Sequence, residues 1–302
     1  SNGNNGIING ATYNTNVPQQ SCQLTTSAGC DSVAVLNLTI NESDTSFTNV
    51  TACDSYTWGD STYTQSGTYY YSGEASNNYS MSFDGINDYI SLGVPSSINP
   101  QGSHTFMFWT KNLTPACDYG SIIGSANSPF SKNLNLHYGF RGCQGLAPNG
   151  NSCTNGNCMG MDFYANELFS PSNLSSSWTL WILTYDVLTL ERKIYKNGQI
   201  VAQDIAQSSY SGNFDLIIGA DMGSTSNLNG YFKGQIDEFS IWNYALSESD
   251  IMRFSDCPLI GNEIGLVCYW NFEEGSGDTV YDQTSNGNNG IINGATYNTN
   301  VP

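Results

Sequence analysis

Cationic side chains are scarce: Lys and Arg number 8 against 26 Asp and Glu in 302 residues, a formal net charge of −18. Such a surface repels phosphate backbones and anionic lipid and attracts divalent cations, which argues against nucleic acid as a partner. Histidine occurs only at His104 and His137, too little for a zinc site beside any cysteine pair or for a Ser-His-Asp arrangement. Charged residues of both signs make up 11% of the chain, where roughly 25% is usual. Polarity comes instead from Ser, Thr, Asn, Gln and Gly, a mixture that favours strands and turns. No run of about 18 apolar residues occurs and no charged and then apolar leader opens the chain. Membrane insertion is therefore not expected, and the chain reads as an internal piece of a longer protein.

What is abundant is repetition. Residues 1–18 and 285–302 are the same eighteen-residue sequence, SNGNNGIINGATYNTNVP, 284 positions apart. The copy includes Ile-Ile, Ala-Thr-Tyr and Val-Pro as well as the Asn/Gly run, so composition alone does not explain it. A spacing of that size is a whole-domain unit, well beyond the 20–50 residue period of a solenoid. The chain is expected to hold one period of a tandem array plus the tail of the period before it.

Nine cysteines suit an oxidising compartment. Their odd number implies either a free thiol or a bond that crosses a period boundary.

Taken in order, residues 1–18 are expected to close the preceding repeat. Residues 19–74 read as a small β module with strand signals at Val33–Ile40 and Thr62–Tyr71 and a tyrosine cluster at Tyr69–Tyr71. A core of some fifty residues is marginal, so disulfides would help to hold it. Residues 75–302 read as a larger β domain, with strands at Ser80–Phe83, Tyr89–Leu92, Thr105–Trp109, Trp178–Tyr185, Leu216–Ile218 and Tyr231–Trp242. Asn197-Gly198 supplies the two positive φ angles of a type I′ turn within a hairpin over Lys193–Ala202. One short helix is expected, capped by Ser247 with Asp250 three residues on and Ile251-Met252 as its apolar side. Many short strands and almost no helix predict an all-β sandwich. The stretch from Asn112 to Gly160 is loop-rich. Such an excursion is a functional loop or a place where disulfides replace missing core, and its four cysteines favour the second.

Three segments resemble the concanavalin A-like, laminin G-like jelly-roll domain: SFDGINDYISL (Ser82–Leu92), GQIDEFSIWNYALSESDI (Gly234–Ile251) and GLVCYWNFEEGSGDTVYDQTSNGNNGIINGATY (Gly265–Tyr297). The resemblance implies a jelly roll whose closing strands come from its C-terminal side, because the YWNF-EEGSG segment stands last here and first in many such domains. The small module resembles a repeat of very large secreted Bacteroidota surface proteins, with its halves, Gly29–Ile40 and Ala52–Tyr71, in reversed order. That resemblance implies export by the type IX route and a jelly roll inserted into a loop of the small module. Adjacent identical repeats would then be interlocked by strand pairing. On this view Cys53 bonds the Cys30 equivalent of the next repeat and Cys257 the next Cys22 equivalent. Cys117 with Cys143 and Cys153 with Cys158 would bond inside the sandwich, leaving Cys268 reduced.

Along Gln235–Trp242 the buried parity slips, since Ile236 belongs to one set and Phe239 and Ile241 to the other. The slip predicts a β-bulge at Asp237-Glu238. Two carboxylates on a bulge suit a structural calcium, which takes six to eight oxygens, and Asp84, Asn87 and Asp88 of the DGIND turn could complete its shell. The alternative is that the aspartates are solvated turn residues. Glu273-Glu274 invite a paired-carboxylate glycosidase reading, but no second carboxylate can be set across a cleft from them and they lie in a structural motif, so an enzyme is not expected. Trp109, Trp181, Trp242 and Trp270 read as core. Tyr119, Tyr138 and Phe140, in or near the excursion, are the candidate aromatic surface for a glycan. The leading reading is an extracellular structural and adhesive repeat of a surface protein or filament, with a calcium-dependent carbohydrate-binding module as the alternative.

Overall fold

The computed structural model describes residues 77–95, 97–113, 120–125, 137–141, 158–163, 166–170, 175–212, 215–222, 227–256 and 258–302, preceded by the backbone of seven short strands. The chain divides into two compact units, Ser1–Gly73 and Glu74–Pro302.

The first unit contains β1 (Gly6–Ile8), β2 (Ala11–Tyr13), β3 (Val17–Thr25), β4 (Asp31–Leu38), β5 (Phe47–Asn49), β6 (Tyr56–Trp58) and β7 (Ser61–Tyr63). β1 pairs with β2 as a hairpin, with Gly6 opposite Tyr13. β3, β4 and β5 make a three-stranded antiparallel sheet and β6 pairs with β7. The strand expected from Val33 is therefore present as β4. Cys22 lies on β3, whereas Cys30 and Cys53 lie outside the described residues.

The second unit is the expected sandwich. Its strands are β8 (Ser80–Asp84), β9 (Tyr89–Gly93), β10 (His104–Asn112), β11 (Gly120–Ser125), β12 (His137–Arg141), β13 (Cys158–Asp162), β14 (Glu167–Phe169), β15 (Thr179–Tyr185), β16 (Glu191–Lys196), β17 (Gln199–Ile205), β18 (Leu216–Ile218), β19 (Asp221–Met222), β20 (Leu228–Asn229), β21 (Lys233–Trp242), β22 (Leu266–Trp270), β23 (Thr279–Val280), β24 (Gly290–Asn293) and β25 (Thr296–Asn298), with one helix, α1 (Glu248–Asp256), between β21 and β22. One antiparallel sheet runs β17-β16-β15-β10-β21-β8-β25, with β22 also on β21. The other runs β14-β13-β12-β11-β18-β9-β24-β23. The β16–β17 hairpin turns at Asn197 and Gly198, whose φ angles are 48° and 76°, as the Asn-Gly pair requires.

Alternation along the strands builds the core between the sheets. Phe106 and Phe108 of β10, Trp181, Leu183 and Tyr185 of β15, and Ile90 and Leu92 of β9 point into it together with Ile236, Phe239 and Ile241 of β21. The opposite face of the β10 sheet is apolar as well. Met107, Leu180, Ile182, Tyr195 and Trp242 form a second cluster roofed by Ile251 and Phe254 of α1. Trp242 packs on Phe254 with ring centroids 4.5 Å apart. Strands covered on both faces lose the hydrophobic-polar alternation of a half-exposed sheet, and HTFMFWT at the start of β10 shows that loss.

The helix starts as expected. Ser247 Oγ accepts the N–H of Asp250 at 3.2 Å while Asp250 Oδ2 accepts the N–H of Ser247 at 3.0 Å, a reciprocal capping box. Its apolar side differs from the expectation, because Met252 is 60% exposed and Phe254 is buried with Ile251. Phe254 lies three residues after Ile251, on the same helical face, whereas Met252 is one residue on and points away.

The loop-rich excursion also needs correction, since β11, β12 and the start of β13 fall within it, three of the eight strands of the second sheet. Their runs are short and broken by glycine, which hides the strand signal. Gly139 is needed there, as a Cβ would lie 2.5 Å from the carbonyl oxygen of Gly120. Cys158 is buried and disulfide-bonded, with a partner outside the described residues. Cys268 is free and buried, as expected. Cys117, Cys143, Cys153 and Cys257 lie outside the described residues.

Candidate functional site

The site grows from a change of partner along β21. Lys233–Ile236 pair with β8, and Phe239–Trp242 pair with β22. β10 lies along the other edge throughout, and its register slips so that Met107 faces Ser240 and Trp109 faces Asp237. One extra residue is thus accommodated on β21, and Glu238 takes a φ of 50°. This is the β-bulge that the parity slip predicts. It sits at a fork, where the chain entering β8 and the chain leaving β22 diverge. Phe272, just beyond β22, is another non-glycine residue with positive φ, at 56°. Left-handed backbone at such residues costs on the order of 1 kcal/mol or more and collects where local structure over-determines it.

Asp237, Glu238, Glu273, Asn77 and Tyr269 come together at the fork. The side chain of Asp237 is fully buried. Its Oδ1 accepts the N–H of Glu238 at 2.9 Å, while its Oδ2 and the Oδ1 of Asn77 are buried with no hydrogen-bond partner. Burial pushes the Asp237 carboxyl up, and the neighbouring Glu238 charge adds to the effect; the Asn77 amide and the Glu238 N–H act in the other direction. Glu238 is raised mainly by burial, opposed by the hydroxyl of Tyr269, which donates to its Oε2. Buried oxygens left without a partner, as Asp237 Oδ2 and Asn77 Oδ1 are, are costly. A divalent cation would relieve that cost. Among the described residues no three His, Cys, Asp or Glu side chains converge tightly enough to hold a metal on their own, so the shell would need Asn77, backbone carbonyls or water beside Asp237. Calcium accepts such a mixed oxygen shell.

The DGIND turn does not join this group. In the β8–β21 ladder Asp84 faces Lys233 and Met81 faces Ile236, so Asp237 falls four rungs away, about 13 Å along the strands. Within the turn Asp84 Oδ1 accepts the N–H of Ile86 at 2.7 Å, and Asp88 Oδ2 accepts the N–H of Asp84 at 2.8 Å. Asp88 is raised by burial. The exposed Asn87 has its own N–H on Asp84 Oδ1 at 3.4 Å. Asp84 and Asp88 thus cap their own turn.

Glu273 and Glu274 are both occupied. Glu273 Oε1 accepts the N–H groups of Asn78 and Tyr79 at 2.8 and 2.9 Å, and its Oε2 accepts the side-chain amide of Asn78 at 2.9 Å. Glu274 accepts the N–H of Tyr281 at 2.8 Å and the hydroxyl of Tyr297 at 3.3 Å. They tie the entrance of β8 and the closing strands to the end of β22.

The aromatic expectation fails at Tyr138, which is fully buried. Its hydroxyl lies 2.8 Å from His104 Nε2, and its ring packs on Phe106 and Phe163. The alternation of β12 turns it inward, away from any ligand. Phe140 lies on the same strand, and its side chain, like Tyr119, lies outside the described residues. Trp181, Trp242 and Trp270 are buried as expected, and Trp109 is half-buried against the second cluster.

Asn77, Tyr269 and Glu273 were not legible as partners of Asp237. They lie 160, 32 and 36 positions from it and meet it only through strand order. The sole local sign was the parity slip itself.

No curated protein matches the sequence. A solved candidate carbohydrate-binding protein of Bacteroides ovatus superimposes with a TM-score of 0.57 at 21% identity, over 74% of this chain and 60% of its own. The present chain therefore spans less than two thirds of that protein. The heptameric SAP-like pentraxin of Limulus polyphemus gives a TM-score of 0.47 at 12% identity, over 74% of this chain and 95% of its own. The profile of the concanavalin A-like lectin/glucanases superfamily matches residues 83–252, more than half of the sequence, and the chain belongs to that superfamily.

Proposed function

We propose that the protein is a non-catalytic, glycan-binding adhesive repeat of an extracellular surface protein, with calcium held at the β21 fork. The observation that carries the non-catalytic part is the employment of Glu273 and Glu274: both are used up in hydrogen bonds that join β8 and β25 to β22. A glycosidase needs two carboxylates facing each other across a substrate. Glycan as the ligand class is supported by membership of a lectin-containing superfamily and by the shared fold with the Bacteroides ovatus protein. The disulfide at Cys158 supports an oxidising, extracellular setting, and export by the type IX route fits the sequence resemblance. At the fork, Asp237 and Asn77 would hold calcium, with Glu238 or Glu273 adding charge. Calcium there would fix the entry of β8 against the exit of β22.

The duplicated segment favours a second reading, a spacer in a filament with adjacent repeats as its only partners. Glycan-array binding of the full chain, with calcium and with chelator, separates the two. Binding to a defined glycan class supports the lectin-like reading. Failure to bind any glycan, together with rods formed by a two-repeat chain, supports the spacer.

A further inference from the structure

Residues 285–302 are the piece that closes both sheets. Ile291, Ile292 and Asn293 of β24 pair with Ser91, Ile90 and Tyr89 of β9. Thr296, Tyr297 and Asn298 of β25 pair with Ser82, Met81 and Ser80 of β8. Between them the chain crosses from one sheet to the other at Gly294, which has a φ of 82° and where a Cβ would lie 2.2 Å from Asp88 Oδ1. Gly290 has no more room, as a Cβ there would lie 2.8 Å from each of Ile90, Leu92 and Val280. Polar contacts fix the register from end to end: Trp270 Nε1 donates to Asn288 O at 3.0 Å, Asn288 N–H to Asp282 Oδ2 at 2.9 Å and Ser80 Oγ to Asn300 O at 2.7 Å. The slot is therefore selective for this sequence.

The chain carries the same sequence a second time. Gly6, Gly10, Ala11, Tyr13 and Asn16 are the twins of Gly290, Gly294, Ala295, Tyr297 and Asn300. The two copies are arranged differently: β1 pairs directly with β2, whereas their counterparts β24 and β25 lie in different sheets. One sequence thus has two strand arrangements, and in the second Ala295 is buried and Ile292 and Tyr297 pack against the sandwich core. We propose that residues 1–18 act as a donor segment, filling the β8/β9 slot of a second copy of this chain in place of that copy's residues 285–302. Donor-strand addition supplies main-chain hydrogen bonds for affinity and pockets for specificity. Because donor and slot are different surfaces, the contact is heterologous and propagates head to tail. This goes beyond glycan binding and does not depend on it.

The test refolds the full chain from denaturant at high protein concentration and measures mass by sedimentation. Dimers and longer species are expected for the natural sequence, and their loss is expected in Gly10→Val, whose side chain would strike Asp88 of the acceptor. That substitution leaves residues 285–302, and so the chain's own sandwich, unchanged. A second measurement locates the contact. Thr12→Cys in one chain and Ser82→Cys in another reproduce the Thr296–Ser82 register pair, and mass spectrometry should recover the 12–82 disulfide-linked peptide between chains. A monomer at every concentration overturns the proposal, as do oligomers that survive Gly10→Val and yield no linked peptide. Glycan binding is scored separately on the monomer.

Discussion

The backbone N–H of Tyr79 donates to the Oε1 of Glu273 at 2.9 Å, joining the entrance of β8 to the exit of β22 across 194 positions of chain. With the two Asn78 bonds, Glu273 accepts three hydrogen bonds at this point. Glu273→Ala should cost about 2–3 kcal/mol, in the range for bonds to a charged acceptor discounted for partial exposure. Glu274→Ala, with two bonds, should cost about 1 kcal/mol. Urea denaturation followed by tryptophan fluorescence measures both, and equal losses would contradict the assigned roles.

Calcium and pH should act on the fork together. Burial, with Glu238 beside it, raises the Asp237 carboxyl to about 8, against about 3.9 when unfolded. Between those values the folded state holds the extra proton, so this group's contribution to stability is full below about pH 4 and is lost as pH rises toward 8. Metal-free protein should therefore melt at lower temperature at pH 8 than at pH 5 through this group. Added calcium should restore the melting temperature at pH 8, and Asp237→Asn should flatten the pH slope and remove the calcium response. A melting temperature indifferent to calcium at pH 8 would remove the metal from the proposed function.

His104 has the opposite sign. Burial pushes it down to about 4, and the carbonyl of Gly102 opposes this only in part. Unfolded, it takes up a proton near pH 6.5. Its contribution to stability is full above about 6.5 and is lost as pH falls toward 4. His104→Gln should remove this acid-side loss while leaving the fork's alkaline-side loss intact. Melting curves of the two single variants and the natural sequence across pH 4–8 separate the two effects.

The roof over the second cluster should be unevenly sensitive. Phe254→Ala removes the ring packed against Trp242 and should cost about 3 kcal/mol or somewhat more. Met252→Ala, at an exposed position, should change stability by less than about 0.5 kcal/mol. Ser247→Ala should cost about 1 kcal/mol through loss of the cap. Chemical denaturation of the three variants gives the order directly.

Local chemistry was legible and long-range pairing was not. Asn197-Gly198 specifies its turn through φ alone, and the Ile236/Phe239 slip specifies a bulge through parity alone. Ser247 and Asp250 likewise announce a helix start. Whether Asp84 could reach Asp237 depends on which residue of β8 faces which residue of β21, and no local pattern carries that register. Tyr138 was placed on the surface because its strand is short and glycine-broken. Its inward direction becomes visible only once Met161 and Ile123 are seen across the ladder. The second core was written in β10, where Phe106, Met107 and Phe108 run without a polar break, but α1 had to be located before that run had a meaning.

The order in which the closing strands appear along the chain constrains how the sandwich is made. Ser80 awaits the carbonyl of Asn300, 220 positions later, and Ile90 awaits Ile292. In a chain that emerges from its N-terminus, the edges of β8 and β9 remain unpaired until nearly everything else has been delivered. Contacts of such long sequence separation slow folding and leave open edges exposed to other strands meanwhile. The sandwich thus stays unfinished, with two strand edges open, until β24 and β25 have been made.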